Sequence, residues 1–388
     1  MSEKSNDKVR IGIIGVGGMG SYHASYLLDE KVKNCELTAV CDIDSSKLER
    51  FTGILRYSDS AELIRSGDVD AVIVATPHYA HTWIGIDALK NGLHLLTEKP
   101  ISAHKADAER LIAAHTNKDQ VFAAMFQQRT MNLYIKLKKL IESGELGEIT
   151  RVNWVASDWF RTEAYYASGG WRATWEGEGG GVLLNQCPHT IDMMQWLCGM
   201  PVKVKAFCKF GAKHNIEVED EVTAYFEYAN GATGVFVANT GEAPGTNRLE
   251  IAAENGKVVV ENGKINFTRN ETPTSVFCKT CNSGFDRPEV WNVDVPYSHG
   301  GGDHLIVTQN FVNAIYNGTP LIAPAEEGIK SLELANAMIY SQITGQTVDL
   351  PLDSAAYEEV LKGLIAQSKY VKPEVQAQEM NLTTSFKK

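Results

Sequence analysis

The chain has 388 residues, of which 44% are hydrophobic and 22% are charged, and its formal net charge is −11. This length allows two domains that each bury a core of their own. The acidic balance disfavours nucleic acids and anionic membranes as partners, because both select basic surfaces. No apolar stretch reaches the length of a membrane-spanning helix.

The first eight residues are polar and lack the apolar core of a signal peptide, which predicts a cytoplasmic protein. Seven cysteines are scattered along the chain, as expected of reduced thiols. Cys278 and Cys281 form one isolated C-x-x-C pair without a second ligand pair at suitable spacing. We therefore predict no metal site.

A glycine-rich turn follows the first predicted strand, Val9–Ile14. The turn has G-x-G-x-x-G spacing over residues 15–20 and precedes a predicted helix, Ser21–Leu28. Its glycines let backbone N–H groups approach a pyrophosphate, which the N-terminus of a helix also favours. The cofactor contacts predicted in this turn are Gly15, Val16, Gly17, Gly18 and Met19.

Asp42 ends the next predicted strand, Glu36–Cys41, about 20 residues beyond the glycine turn. A carboxylate there can accept hydrogen bonds from both ribose hydroxyls and repels a 2′-phosphate, so it favours NAD over NADP. Lys47 is close enough in sequence to leave NADP use open. The alternative is that Asp42 only caps the short helix that starts near Asp44.

Strands and helices alternate between residues 70 and 125, which predicts a parallel, doubly wound sheet. The predicted strands are Asp70–Ala75, His94–Leu96 and Val121–Met125, and the predicted helices are His81–Lys90 and residues 103–115. Segments after these strands then share one edge with the glycine turn and line the nicotinamide end of a crevice. The cofactor candidates on this edge are Thr76, Pro77, Glu98, Lys99 and Gln128.

Lys99 stands directly after a buried strand, between Glu98 and Pro100. A lysine in that position is costly to desolvate unless its ammonium is used or paired. We therefore expect Lys99 to lie where cofactor and substrate meet.

An aromatic-rich segment follows a strand predicted over Ile149–Ser157. Several Trp and Tyr rings suit the C–H faces of a carbohydrate, while Asp and Arg side chains bind its hydroxyls, and loops of this length are often functional. The alternative is that these rings belong to the core. The substrate-binding candidates in this segment are Asp158, Arg161, Trp171 and Arg172.

His189 lies at the start of a predicted helix, Thr190–Leu197, just after Pro188. The positive end of the helix dipole disfavours the imidazolium form, and a neutral imidazole can act as a general base. The alternative is a histidine whose polar atoms are simply satisfied within the fold.

The remaining chain predicts a largely antiparallel sheet whose hairpins turn at Asn230-Gly231, Asn255-Gly256 and Asn262-Gly263. Such sheets often pair through an exposed face, so we expect a homodimer or homotetramer. Helices are predicted over Leu305–Asn317 and Ile329–Thr344. The polar tail from about Glu374 is expected to be loosely held or to wrap a neighbour.

Together these motifs resemble the Gfo/Idh/MocA oxidoreductases, the family of glucose–fructose oxidoreductase and inositol dehydrogenase. The resemblance runs from Val9 to about Pro351 and rests on four motifs. They are Gly15-Val-Gly-Gly-Met-Gly20, Ala75-Thr-Pro77 with His81, Glu98-Lys-Pro100, and Gly179-Gly-Gly181 followed by Asn185-x-x-x-His189-x-x-Asp192.

The resemblance implies a Rossmann domain, residues 1–128, and an α+β domain with a large, open, mostly antiparallel sheet, residues 129–388. Helices after about residue 304 are expected to pack back on the first domain. The resemblance adds His81 to the cofactor candidates and Asn185 and His304 to the substrate-binding candidates.

The same resemblance makes Lys99 and His189 the catalytic pair. Family members often carry an aspartate four residues before the histidine, whereas this chain has Asn185. An amide cannot take up a proton or raise the pKa of His189 as a carboxylate would. Trp171-Arg172 and the Asn-Gln-x-x-His form look like members that act on pyranosides and anhydrosugars.

These residues predict an NAD-dependent enzyme that oxidises a ring secondary hydroxyl of a sugar or glycoside, with C3 as one candidate position. His189 would accept the hydroxyl proton while Lys99 stabilises the alkoxide, although Lys99 itself could be the base. The alternatives are an inositol dehydrogenase, an enzyme that keeps NAD bound while it oxidises and then cleaves a glycoside, and a non-catalytic NAD or sugar sensor.

Overall fold

The computed structural model describes residues 8–373, and the predicted C-terminal tail from Glu374 lies outside them. Residues 9–124 contain a six-stranded, entirely parallel sheet in the order β3-β2-β1-β4-β5-β6. Its strands are β1 Val9–Ile14, β2 Cys35–Cys41, β3 Leu55–Tyr57, β4 Ala71–Val74, β5 His94–Thr97 and β6 Phe122–Ala124. Its helices are α1 Gly18–Leu28, α2 Ser60–Arg65, α3 His78–Lys90 and α4 Lys105–Ala114.

A second sheet of nine strands has the order β14-β13-β12-β11-β7-β10-β9-β8-β15. All of its pairs are antiparallel except β7 with β10. The strands are β7 Ile149–Ala156, β8 Lys203–Phe210, β9 Glu219–Glu227, β10 Thr233–Asn239, β11 Asn247–Ala253, β12 Gly256–Glu261, β13 Lys264–Asn270, β14 Val290–Asp294 and β15 Val348–Asp349. The helices after residue 130 are α5 Asn132–Glu142, α6 Glu163–Ala167, α7 Pro188–Cys198, α8 Thr274–Thr280, α9 His304–Asn317, α10 Ala325–Thr344 and α11 Ser354–Gln367.

The predicted fold class is confirmed, a doubly wound parallel sheet joined to a mostly antiparallel one. In both sheets the strand sequences explain which positions are buried. Strand β4, Ala-Val-Ile-Val, is fully buried, as a parallel strand covered on both faces must be, whereas β7 alternates between buried and partly exposed positions. The three Asn-Gly hairpin turns also lie where they were predicted, between β9 and β10, β11 and β12, and β12 and β13.

Four helix starts, those of α1, α3, α7 and α10, were predicted too late by two to four residues, and two of these shifts bear on the site. Helix α1 begins at Gly18, inside the glycine turn, so the second half of the motif is already helical. Helix α3 begins at His78, directly after Pro77, which shortens the turn that contains Thr76. Both shifts bring a helix N-terminus closer to the carboxyl edge of the sheet.

The carboxyl ends of the central strands meet at one edge, because Ile14 pairs in register with Val74 and Val74 with Thr97. Helices from the end of the chain connect this edge to the second sheet. Helix α9 contacts β1 and β5, and α10 contacts α4, α7 and β8. The predicted domain boundary at residue 128 falls in a short 3-10 turn, Gln127–Thr130, and stays a prediction.

Within residues 8–373, no helix is long and apolar enough to cross a membrane. Over the same residues, no group of three or more His, Cys, Asp or Glu side chains is arranged to hold a metal ion. Cys278 and Cys281 are free thiols at the end of α8.

Candidate active site

The glycine turn between β1 and α1 leaves room for a ligand on one side only. Gly15 has φ +88°, and a methyl group on Gly20 would lie 1.8 Å from the Gly15 carbonyl oxygen. A methyl group on Gly17 would meet no protein atom within 4 Å. A side chain at Gly15 or Gly20 would therefore clash with the protein. The space in front of Gly17 is open, and the helix N-terminus there can face a phosphate.

Asp42 lies beside this turn. Its Oδ2 accepts a hydrogen bond from the backbone N–H of Val16 at 2.9 Å, and its Oδ1 accepts one from Asp44 at 2.9 Å. The cap of the following 3-10 turn is Asp44 rather than Asp42, because the Asp44 carboxylate accepts the bond from the Ser46 N–H. Lys47 Nζ lies 3.5 Å from Asp42 Oδ1.

These groups fit a dinucleotide with free ribose hydroxyls. The open space at Gly17 suits a pyrophosphate, and Asp42 Oδ2, which accepts only from Val16, keeps a lone pair for a ribose hydroxyl. Thr76 Oγ1 is buried without a hydrogen-bond partner, as expected of a group that meets a ligand. Gly15, Val16, Gly17, Gly18, Met19 and Asp42 would hold NAD at its phosphates and adenosine ribose, and Thr76 would lie toward its other end.

His81 is buried, and its side chain is fully occupied by the protein. Its ring nitrogens lie 2.8 Å from the carbonyl oxygen of Pro100 and 2.7 Å from that of Thr76. Burial lowers the pKa of His81, and a neutral imidazole donates to one of these two carbonyl oxygens at a time. His81 stays a predicted cofactor residue, and its ring lies between the loops that contain Thr76 and Pro100.

Glu98 is buried at the head of a polar network behind Lys99. His23 Nε2 donates to its Oε1 at 2.8 Å, and the Lys99 backbone N–H donates to its Oε2 at 3.2 Å. The His23 ring continues to Tyr26 and Thr308. Burial alone would raise the pKa of Glu98, but the hydrogen bond and charge of His23 lower it to about 2.

Lys99 reaches across the crevice to the second half of the chain. Its Nζ donates to the backbone carbonyl oxygen of Asn185 at 3.0 Å. Burial lowers the pKa of Lys99, the charge of Glu98 opposes this, and the charge of Arg172 lowers the pKa further. One of the three N–H groups is used, which leaves two for a substrate oxygen.

His189 is the second residue of α7, where Pro188 occupies the first position. Its Nε2 lies 3.1 Å from Gln127 Nε2, and its ring meets Phe126 edge-on with centroids 6.0 Å apart. Burial, followed by the charges of Lys99 and His304, lowers its pKa well below the usual value, so the ring is neutral. The neutral form was predicted from the helix dipole, whereas burial and then the charge of Lys99 account for it here.

Asn185 joins Lys99 to a buried carboxylate. Its Nδ2 donates to Glu178 Oε1 in a short hydrogen bond, and its Oδ1 accepts from the Tyr165 hydroxyl at 3.1 Å. Burial raises the pKa of Glu178 against the charge of Arg172 and the bond from Asn185. A carboxylate therefore lies one hydrogen bond away from the position where family members often have an aspartate.

The aromatic segment is divided between core and site. Tyr166 and Trp175 are buried in the core, which confirms the alternative interpretation for those two rings. The Arg172 guanidinium instead lies over the rings of Trp171 and Tyr165, at 4.5 and 4.8 Å from their centroids, and donates to the Tyr165 hydroxyl.

The structure brings most of the predicted substrate-binding residues into one region, around Tyr165. Arg161 lies over the Tyr165 ring at 5.0 Å, and the charges of Arg161 and Arg172 both act on Lys99. The other two predicted residues have contacts of their own. Asp158 Oδ2 accepts from Asn247 at 3.4 Å, and the His304 ring packs on Tyr22 and His23.

Gln128 and Pro77 lie at the predicted edge, half-buried and exposed respectively. Asp192, the last residue of the motif, forms a buried two-bond ion pair with Arg129, at 2.7 and 2.8 Å. Its role is therefore to fix α7 to the 3-10 turn that follows β6.

Sequence reasoning missed several residues of this region, namely Arg50, Gln127, Tyr165, Glu178 and Gln186. Arg50 donates to the Val16 carbonyl oxygen at 2.6 Å, and Gln186 donates to the Tyr165 hydroxyl at 3.0 Å. Position alone could have indicated two of them, because Gln127 follows a strand at the ligand-binding edge and Glu178 directly precedes the three glycines.

The arrangement combines a neutral imidazole, an ammonium with spare donors and a ring of hydrogen-bonding side chains. A neutral imidazole can accept a hydroxyl proton, and an ammonium can stabilise the negative charge that develops on the same oxygen. Such a site suits oxidation of an alcohol or the reverse reaction.

Two family models match the chain. The one described as an oxidoreductase family with an NAD-binding Rossmann fold matches residues 9–126, and the GFO/IDH/MocA C-terminal domain matches residues 134–259. Myo-inositol 2-dehydrogenase of Thermotoga maritima is 25% identical over 268 residues, 66% of this chain and 75% of that enzyme. Levoglucosan dehydrogenase of Pseudarthrobacter phenanthrenivorans is 25% identical over 391 residues, 89% and 99% of the two chains.

Among solved structures, the WlbA dehydrogenase from Bordetella pertussis in complex with NADH and UDP-GlcNAcA superposes with a TM-score of 0.75. Its sequence identity to this chain is 26%, and the match covers 89% of this chain and 100% of that one.

Proposed function

Because this chain belongs to the Gfo/Idh/MocA family of NAD-dependent oxidoreductases, we propose that it oxidises a ring secondary hydroxyl of a sugar, glycoside or anhydrosugar. We take C3 as the candidate position. The relatives named above are dehydrogenases of an inositol and of levoglucosan, both polyhydroxylated rings, which supports a substrate of this class.

The observation that carries the proposal is the approach of Lys99 to the segment that leads into the His189 helix. Lys99 Nζ is bonded to the Asn185 backbone, four residues before His189, and the charge of Lys99 lowers the pKa of His189. A cation beside a neutral base is the combination that an alcohol needs for oxidation, because the base takes the proton and the cation holds the oxygen.

In this mechanism the substrate hydroxyl donates its proton to the His189 ring, and two N–H groups of Lys99 hold the oxygen as it becomes a carbonyl. A bound NAD would supply the acceptor for the hydride that leaves the carbon. Tyr165, Arg172 and Gln186 would hold the other hydroxyls, and the Trp171 ring would cover a C–H face of the sugar.

We also infer a homo-oligomer that forms through the open face of the nine-stranded sheet. Phe207 on β8 is 65% exposed and Tyr225 on β9 is 42% exposed. They lie diagonally across the β8–β9 pair, since Phe207 pairs with Thr223 and Lys205 with Tyr225. Exposed aromatic rings are enriched at protein–protein contacts.

The proposed activity is tested by following NAD reduction with a panel of cyclic sugars, glycosides, anhydrosugars and inositols. We expect turnover with at least one ring compound and none with open-chain polyols of the same size. The C3 position is read from the oxidised product by NMR. If NAD still binds and no compound of the panel leads to NAD reduction, the proposal is contradicted.

A second assay separates an exchanging cofactor from a permanently bound one. The purified protein is denatured, and the supernatant is analysed for NAD and NADH. An exchanging cofactor leaves little nucleotide in the supernatant, whereas an enzyme that keeps NAD through a redox cycle releases about one nucleotide per chain.

A further inference from the structure

Gln127 makes the one side-chain hydrogen bond that His189 has within the described residues. The Nε2 atoms of the two side chains are 3.1 Å apart, and each residue is only 6% exposed. The remaining polar atoms of the pair, Gln127 Oε1 and His189 Nδ1, are buried without a partner. Buried polar atoms without a partner are rare in folded proteins, so these two are candidates for a ligand or a change of state.

An amide can form a hydrogen bond with Nε2 in either tautomer of a neutral imidazole. When the amide nitrogen faces the ring, as in the structure, it donates to Nε2, and the ring proton lies on Nδ1. When the amide is turned by 180°, Oε1 accepts from an Nε2–H, and Nδ1 carries the lone pair. Only the second arrangement leaves the ring able to accept a proton at Nδ1.

We propose that Gln127 is a positioning residue for His189, which holds Nε2 in both tautomers and reserves Nδ1 for the proton of the substrate hydroxyl. This inference rests on the proposed function. In the base form the Nε2–H is bonded to Gln127 Oε1, and the hydroxyl proton moves to Nδ1. The imidazolium that results keeps its Nε2–H bond to the same oxygen, and it returns the Nδ1 proton to solvent or, in the reverse reaction, to the carbonyl oxygen.

The charged groups that act on His189 make an amide suitable at this position. Lys99 after β5 and His304 at the start of α9 lower the pKa of His189, and Glu98 opposes them. A carboxylate in place of the Gln127 amide would add a second opposing charge in direct contact. The amide fixes the ring without that charge, and the ring stays neutral around pH 7.

The test uses the full chain labelled with 15N at its histidine rings, in which the His189 signals are identified by their loss in His189→Asn. Ring nitrogen shifts distinguish the Nδ1–H and Nε2–H tautomers. In Gln127→Glu we expect only the Nε2–H tautomer, because a carboxylate only accepts. We also expect the pKa of His189 to rise by roughly one to three units, the usual effect of a charge in contact.

Gln127→Met keeps the volume of the side chain and removes both polar atoms. We expect a mixture of tautomers and a fall in kcat of at least about tenfold, with KM changed much less, because the ring is no longer held in its reactive form. In Gln127→Glu the acid limb of the kcat/KM profile moves to higher pH. Gln346→Glu makes the same charge change at an exposed site, and we expect it to leave the tautomers and the pH profile unchanged.

The NMR experiment does not need a substrate, so it tests the role of Gln127 even when no compound of the panel is turned over. Unchanged His189 ring shifts in both Gln127 variants would overturn the role of Gln127, and turnover in the panel would then still support the proposed function. If Gln127→Glu does not fold, Gln127→Met alone decides, since a single tautomer in that variant contradicts the inference.

Discussion

At the scale of single residues, the site differs from the usual family pattern in where its carboxylate lies. Asn185 cannot bind a proton, but its amide is bonded to the buried carboxylate of Glu178, and its backbone is bonded to Lys99. The charge of Glu178 acts on Lys99 in the direction that raises its pKa. A carboxylate therefore influences Lys99 through a different residue from the one that the family pattern supplies.

Lys99→Met and His189→Ala should each reduce turnover by at least about a hundredfold, the low end for acid–base groups. Both variants should still bind NAD, because the glycine turn and Asp42 are unchanged. The measurement is kcat with the best compound of the panel, together with an NAD titration. Near-native turnover in both variants would be incompatible with the assigned roles.

Asn185→Asp should make stability fall with rising pH. The new carboxylate would face Glu178, whose pKa burial has already raised, and two carboxylates in contact do not ionise together. Raised folded-state pKa values favour the fold at acid pH and disfavour it once both groups must ionise. We expect a cost on the order of 2 kcal/mol at pH 8 and roughly half of it at pH 5, because a shift of about one to two pKa units is lost between the unfolded and the folded pKa.

Thermal melts of Asn185→Asp at pH 5 and pH 8 measure this difference against the parent protein. The exposed Asn117→Asp makes the same change away from the site and should melt like the parent at both pH values. A destabilisation of Asn185→Asp that is equal at both pH values would count against the paired carboxylates.

At the scale of elements, the residues at the carboxyl edge of the parallel sheet were predictable from the sequence. The side chains that contact them from other parts of the chain were not. Residues that follow a buried strand must fall on the carboxyl edge, and this rule correctly placed Thr76 and Lys99 on the same edge as the glycine turn. The place of Gln127 in the site depends on its contact with His189, 62 positions away in the chain. The place of Glu178 depends on how its loop turns toward Asn185, 7 positions away. No local pattern encodes those meetings.

Two of the missed elements, β14 and α8, share a physical cause. Strand β14 is exposed at all five positions, and α8 buries none of its residues. Hydrophobic periodicity cannot indicate an element that has no buried face. The strands and helices that were predicted lie within a few residues of their observed bounds, but α5 and α11 were missed although each has buried residues.

Two alanine substitutions in the glycine turn separate folding from cofactor binding. Gly20→Ala would place a methyl group 1.8 Å from a backbone oxygen, so we expect a clear loss of thermal stability. Gly17→Ala meets no protein atom, and φ of −64° suits alanine, so the fold should melt within a few degrees of the parent. Its methyl group occupies the space in front of the helix N-terminus, and NAD binding should weaken by at least about tenfold.

Melting curves and NAD titrations of the two variants test this contrast. Normal NAD affinity in Gly17→Ala would show that the phosphates do not approach the turn as closely as the open space suggests.

At the scale of the whole molecule, the two sheets share one core. A single cluster of buried residues contains Val74 of the first sheet and Val152 of the second, and α10 packs between α4 on one side and β8 on the other. Arg129 adds a buried ion pair to Asp192 across the same boundary. Such a shared core favours a crevice of fixed width, so Lys99 and Asn185 should keep their contact when no ligand is bound.

The outer face of the nine-stranded sheet should hold copies of the chain together. Helices such as α10 cover its other face, whereas Phe207 and Tyr225 lie uncovered on neighbouring strands. Phe207→Lys replaces one of these two rings with a second charge beside Lys205, so we expect the oligomer of the parent to dissociate toward monomers at micromolar concentration. Light scattering during size-exclusion chromatography measures the mass.

Trp83→Lys makes a matched change at a residue that is 57% exposed on α3, and it should leave the mass unchanged. A parent protein that elutes as a monomer, or a Phe207→Lys variant with the parent's mass, would rule out this face as the interface.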